Sequence, residues 1–424
     1  MNNIRAYIQS LRTPDRYFNA SFIIMAVMMA LLPFTVFFMW PIGILLTLIW
    51  IIQGNWREKW ENFKANDGIP YGLFLLSICL IPILGFINSE NIPIAWSVLE
   101  GHLWFLFTPL IFLTFSPKRW SEKHFRTLMV VFSISEIALL SFFFIRGIYL
   151  SLVNSDTIYL YNYFFSYRHH HSYVALYANL VYIFIFQYLI NNCERLSGRR
   201  KCLLYAIELF ITLGIFCLYS RAGILIFLFM HLVWSAYAIY RKRSRWKMML
   251  GLCVAIFGCC SIFIATSPVN RFTMYSTPIS NEKDEGKYTD LRLKLWEATC
   301  SGIKESFPWG VGTGDGNDVI MEKLVENGYS IQNDHKYNAH NQLLFALLTN
   351  GLLGLVVTLL YFITPLATAI KHRDMILLSL FLLLFTNCMV ECMFDRRAGV
   401  DFFAVMIPLF MVHANMRRIE MSEN

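Results

Sequence analysis

Residues 337–354 read YNAHNQLLFALLTNGLLG, a histidine set between two asparagines at the mouth of a long apolar run. The run extends over about 341–363, enough for a helix to cross a bilayer, which takes about 20 apolar residues. A titratable ring at the lip of such a span is either a stray surface histidine or the centre of a reaction.

The whole chain shares this apolar character. Of 424 residues, 57% are hydrophobic and only 15% are charged, whereas a soluble domain carries about a quarter charged residues. Lipid is therefore its main solvent. A net charge of +8 would suggest nucleic acid in a soluble protein; here it records basic loops on one side of a membrane, and no nucleic-acid partner is expected. Nearly all ten cysteines sit in apolar runs or short basic loops. Only Cys300 falls in the long polar segment, so no disulfide can form within it, and there is no CxxC pair. The basic N-terminus is followed by an apolar run without a small-residue cleavage site, the pattern of an uncleaved signal anchor.

Apolar segments near 20–37, 38–53, 69–87, 98–115, 127–150, 172–190, 203–219, 222–240, 248–266, 341–363, 375–393 and 402–414 predict about twelve transmembrane helices. The connections NWREKWENFK, SPKRWSEKHFR, NNCERLSGRRK, RKRSRWK and AIKHRD, with the tail NMRRIEMSEN, are rich in Lys or Arg and recur at every second loop. By the positive-inside rule both termini are then cytoplasmic. The expected fold is all-α and polytopic: helices one to nine over 1–266, an outward loop domain over 267–340, and helices ten to twelve over 341–424. The loop is mildly acidic, and Asp290 is placed to cap a helix through LRLKLWEATCSGIKES.

Several residues on the outward side carry candidate chemistry. Arg221, in LYSRAGILIF, stands between two apolar runs with almost no loop around it. Arginine at a span boundary is costly and usually has a partner, and snorkelling anchors gather on the cytoplasmic side. Arg292 opens the loop helix, where the dipole already favours an anion and a guanidinium adds a two-pronged grip on phosphate. His340 can act as a general base, with Asn338 and Asn341 placed to orient its ring. His170, in SYRHHHSYVALY, reads as a polar, aromatic lining for sugar, because three adjacent histidines rarely ligate one metal. Arg396 and Arg397, in ECMFDRRAGVDFF, form a third outward basic point. PWGVGTGDGND at 308–318 lacks the GK[ST] ending of a phosphate loop and reads as tight turns. Neither a metal nor a cofactor is expected. Glu136, Glu208 and His231 fall within spans, where pairing inside the bundle is the expectation.

Taken in order, SRAG, LRLKLW, PWGVGTG and NAHNQLLFALLTNGLLG on a twelve-span layout resemble the O-antigen ligase (WaaL) family and its wider ligase and polymerase superfamily. The resemblance implies a GT-C-like membrane glycosyltransferase with a large periplasmic loop between helices nine and ten. It implies transfer of a glycan from undecaprenyl pyrophosphate to a lipid A-core sugar, with inversion and without a metal, at the outer face of the bacterial inner membrane. Arg221 and Arg292 match the family's essential periplasmic arginines, and His340 matches its essential histidine. An O-antigen polymerase and a protein O-oligosaccharyltransferase use the same framework with a different acceptor. A lipid-linked glycan flippase would instead show paired halves with broken helices at corresponding positions, and neither is legible.

Overall fold

The computed structural model describes residues 14–34, 37–192, 194–241, 279–280, 291–331 and 336–423. The segment 248–266 and the cap at Asp290 lie outside them. Eleven of the twelve apolar segments fall on helices. They are α1 (Pro14–Leu31), α2 (Met39–Gln53), α3 (Trp56–Ala65), α4 (Leu73–Phe86), α5 (Ile92–Leu113), α6 (Glu122–Asn154), α7 (His171–Asn192), α8 (Gly198–Leu218), α9 (Arg221–Arg241), α10 (Leu291–Ser306), α11 (Gly316–Glu326), α12 (Gln342–His372), α13 (Met375–Cys388) and α14 (Arg397–Glu423), where α3, α10 and α11 belong to the connections. Seven are long and apolar enough to cross a membrane, or eight if the bent pair α2–α3 is one span; α1, α4 and α13 are apolar but shorter. Among the described residues the strands are two residues each: β1 (Ile279–Ser280) pairs antiparallel with β2 (Ser330–Ile331). The protein is an all-α polytopic membrane protein.

The most enclosed helices are α7 and α14. The span window of α14 is fully buried and that of α7 is 83% buried, against 33% for α12, so α12 stands at the periphery. At one end of the bundle, Asp67 accepts hydrogen bonds from Lys371 (2.8 Å) and meets His372 (2.9 Å), while Arg417 approaches Asp374 (3.3 Å). The basic loops that follow α3 and α12 therefore meet the C-terminal helix there. His340 lies at the opposite end.

Two features at that opposite end depart from the expected boundaries. First, α12 is not one straight span. Asn350 (φ −123°) and Gly351 (φ 61°, ψ −157°) break it, and a Cβ on Gly354 would sit 2.7 Å from the Ala346 carbonyl. A straight helix would hold those residues about 12 Å apart along its axis. The turns over 342–349 therefore fold back, and Leu348 enters a second hydrophobic core with Leu295, Ala298, Ile320, Leu324, Ala339 and Cys392. The first turns of α12 thus pack with α10 and α11.

Second, PWGVGTGDGND makes the turns its glycines imply, and those turns fill the break. Val311 and Gly312 donate to the Leu348 and Thr349 carbonyls (both 2.9 Å), and Leu352 donates to the Pro308 carbonyl (2.8 Å). These bonds satisfy backbone groups that the interrupted helix leaves open. Thr313 donates through its hydroxyl to the Pro82 carbonyl (3.1 Å), and Asp315 accepts from the Glu90 (2.9 Å) and Asn91 (2.8 Å) amides. The motif fastens the loop domain to the α4–α5 turn.

Candidate active site

His340 precedes the first turn of α12 with a left-handed backbone (φ 45°), which few non-glycine residues adopt. Its own amide donates to the Asn338 side chain (3.1 Å), and Asn338 donates onward to Asp395 (2.7 Å). Asn341 caps the helix by accepting from the Leu343 and Leu344 amides (3.0 and 3.1 Å), and its amide donates to the Met389 carbonyl (3.1 Å). Gln342 accepts from the Phe394 amide (2.8 Å). Residues 338–342 are in this way laced to residues 389–395, and the strained backbone is held from several directions.

The ring itself is held by Glu391. His340 Nδ1 lies 2.9 Å from Glu391 Oε1, with the histidine side chain 26% exposed and the glutamate 6%. The asparagines expected to orient the ring orient its backbone and the facing loop instead. Burial would raise the Glu391 carboxyl. The hydrogen bond to His340 and the charges of His340, His170 and Arg292 outweigh burial and hold it below the ordinary range. An ionised Glu391 accepts from Nδ1–H, and that fixes the tautomer in which Nε2 carries the free lone pair. Asp395 goes the other way: burial pushes its carboxyl up despite the Asn338 bond and the Arg396 charge.

Arg292 and His170, from α10 and the head of α7, both act on Glu391 electrostatically. The charges of three sequence-derived candidates, His340, Arg292 and His170, thus act on one carboxylate, while Asn338 bonds the neighbouring Asp395. Arg221 heads α9, whose first turn packs on α7: Asn179 donates to the Gly223 carbonyl (3.2 Å), and a Cβ on Gly223 would meet Ala175 at 2.6 Å.

The comparisons with known proteins bear on this arrangement. Residues 206–359 match the O-antigen ligase family model. That stretch contains Arg221, Arg292 and His340, and the match is consistent with the superfamily of O-antigen ligases and polymerases. No curated protein matches the chain. The O-antigen ligase match stops short of Glu391 and of everything on α14.

The remaining candidates lie on or near that unmatched part. Arg397 bridges to Glu100 (2.8 Å) and lies over the Trp40 ring (5.1 Å). Arg396 opens into a cleft of about 540 Å³ that His170 also lines. The three histidines diverge: His169 Nε2 meets the Phe34 carbonyl (2.9 Å), His170 faces the cleft, and His171 begins α7. Among the described residues no three His, Cys, Asp or Glu side chains are grouped to hold a metal ion. Within the spans, His231 meets the Tyr182 hydroxyl (2.5 Å). The pairing expected for Glu136 and Glu208 is not found among the described residues: both are buried, and no described hydrogen-bond partner reaches their carboxylates.

Glu391 is the partner of His340 that sequence reasoning missed. It lies inside a quoted outward stretch, as the one acid at the end of an apolar run. Its partner is 51 positions away, and nothing local connects the two.

Proposed function

We propose that this protein transfers a glycan from undecaprenyl pyrophosphate to a sugar hydroxyl of a lipid A-core acceptor, at the periplasmic face of the inner membrane, with both termini cytoplasmic. The observation that carries this reading is the His340–Glu391 pair at the end of the bundle away from the basic loops. The acceptor hydroxyl attacks the anomeric carbon, and Nε2 of His340 takes its proton as the new C–O bond forms. The bond from the anomeric carbon to the pyrophosphate oxygen breaks, and its electron pair leaves with polyprenyl pyrophosphate. Glu391 stabilises the imidazolium as it forms, an arrangement whose logic is general for carboxylate–histidine pairs. Arg221 and Arg292 stabilise the charge growing on the departing pyrophosphate, the work a metal ion performs elsewhere. Attack opposite the leaving group inverts the anomeric centre.

The deciding experiment is the lipopolysaccharide banding pattern of cells lacking the protein. Loss of all long chains with free lipid-linked polymer accumulating is the expected result. A core bearing a single repeat unit would assign a polymerase instead. Purified protein given donor and acceptor should keep its activity in excess EDTA; complete loss, restored by magnesium or manganese, would overturn the arginine role.

A further inference from the structure

The cleft beside Arg396 carries a second set of cations, and neither Arg221 nor Arg292 lines it. Its polar lining includes Arg168, His169, His170, Tyr173, Arg396 and Arg397. Arg397 is already neutralised by Glu100 at 2.8 Å. Arg168 and Arg396 form no ion pair with any described residue; Arg168 rests near the Tyr167 ring (5.3 Å). Asp395, the carboxylate next to Arg396, takes its hydrogen bond from Asn338. Two more buried polar atoms there have no hydrogen-bond partner among the described residues: Nδ1 of His170 and the hydroxyl of Tyr173, a residue only 2% exposed. A buried hydroxyl without a partner is costly, and such a group lining a cleft points to a ligand that satisfies it.

Two unpaired guanidinium groups with ring N–H and hydroxyl donors match a phosphate monoester, which carries close to two negative charges and three acceptor oxygens. A transferase with two glycan substrates needs two sites, and the donor's pyrophosphate is assigned to Arg221 and Arg292. We propose that the cleft at Arg168, His170, Tyr173 and Arg396 binds a phosphate monoester on the acceptor glycan, so that the protein selects a phosphorylated acceptor. The proposal rests on the transferase reading in naming the ligand an acceptor. His170 links the cleft to the reaction centre, since the charges of Glu391, Arg396 and His340 all act on it.

The test is binding rather than turnover. Purified full-length protein is titrated with a soluble oligosaccharide bearing one phosphate monoester, with the same oligosaccharide after phosphatase treatment, and with a short-chain polyprenyl pyrophosphate. The wild type should bind the phosphorylated form at least about tenfold more tightly than the treated form. Arg168→Gln and Arg396→Gln, both at exposed positions, should reduce that difference to within a few-fold at an unchanged thermal midpoint. Tyr173→Phe should lose part of it. Equal binding of the two oligosaccharides by the wild type would overturn the proposal, as would full discrimination retained in both arginine variants. Weakened polyprenyl pyrophosphate binding in those variants, with discrimination intact, would also overturn it by giving the cleft to the donor. A wild type that discriminates but transfers no glycan leaves this site standing and removes the transferase reading.

Discussion

Glu391 Oε1 lies 2.9 Å from His340 Nδ1, so a loop between the last two helices sets the ring that the loop domain delivers. This relationship predicts a separable effect. Glu391→Gln keeps the size and a hydrogen-bonding oxygen but removes the charge that supports the imidazolium. Turnover should fall at least about tenfold, a fraction of what a lost general base costs, with KM for both substrates little changed. A variant with wild-type turnover and an unshifted pH profile would show that Glu391 only packs the loop.

The same carboxylate predicts a pH dependence of stability. Its folded-state titration lies below the ordinary value of 4.5, so folding binds the ionised form more favourably. That stabilisation is present in full above the ordinary value and disappears as pH falls through the depressed one. Asp395, shifted upward by burial, contributes with the opposite sign over the neighbouring range. Glu391→Gln should therefore flatten the acid limb of a thermal-unfolding series, and Asp395→Asn should steepen it. Parallel curves for wild type and both variants would contradict the assignment.

Much of the helical architecture was legible because a bilayer imposes long apolar runs, which need no tertiary information. Arg221, Arg292 and His340 stood out for the same reason: charge is conspicuous where lipid is expected. The break in α12 was hidden. Asn350 and Gly351 form an Asn-Gly pair, a local turn signal, but the apolar residues on either side together make the length of one span, and periodicity cannot distinguish lipid from a second protein core around 342–349. Neither could it show that residues 308–313 supply the hydrogen bonds that make the break tolerable. Proline is a poor guide here, because α12 and α14 run through Pro365 and Pro408 as helix.

That docking motif predicts a stability effect with a secondary loss of function. Asp315→Ala removes two charge-assisted bonds to the Glu90 and Asn91 amides, each typically worth about 1.5–3 kcal/mol. Gly351→Ala places a Cβ 2.0 Å from the Pro308 carbonyl in a left-handed backbone. Both should lower the thermal midpoint, with activity per folded molecule falling because residues 338–342 are mispositioned. A normal midpoint in Gly351→Ala would mean that the α12 break can straighten.

Two native cysteines test the orientation. Cys300 is exposed on α10, and Cys202 is exposed near the start of α8. In variants keeping one or the other, a membrane-impermeant maleimide should label Cys300 in intact cells with a permeable outer membrane. Cys202 should react only after the inner membrane is opened. The reverse pattern would invert the topology and move His340 to the cytoplasm.

Arg221→Lys keeps the charge and discards the planar fork, so a two-pronged hold on pyrophosphate is lost. Transfer should be severely impaired at normal membrane abundance. Near-normal transfer would leave Arg221 as an anchor at the head of α9.

His340→Ala separates catalysis from architecture. The imidazole is partly exposed and, among the described residues, bonds Glu391, whereas Asn338, Asn341 and Gln342 lace the two loops together. Removing the ring should therefore leave insertion and folding intact, apart from the cost of a buried Glu391 without its partner. Donor binding should persist, since the phosphate contacts belong to the arginines. Single-turnover transfer should fall roughly 10²–10⁴-fold, the usual effect of a lost general base. The double variant His340→Ala/Glu391→Gln should be little worse than His340→Ala, because Glu391 acts only through the ring. Donor binding, membrane abundance and single-turnover rate measured on one preparation decide the matter. A rate within a few-fold of wild type per folded molecule, or a double variant far below the single, would assign His340 to the structure rather than the reaction.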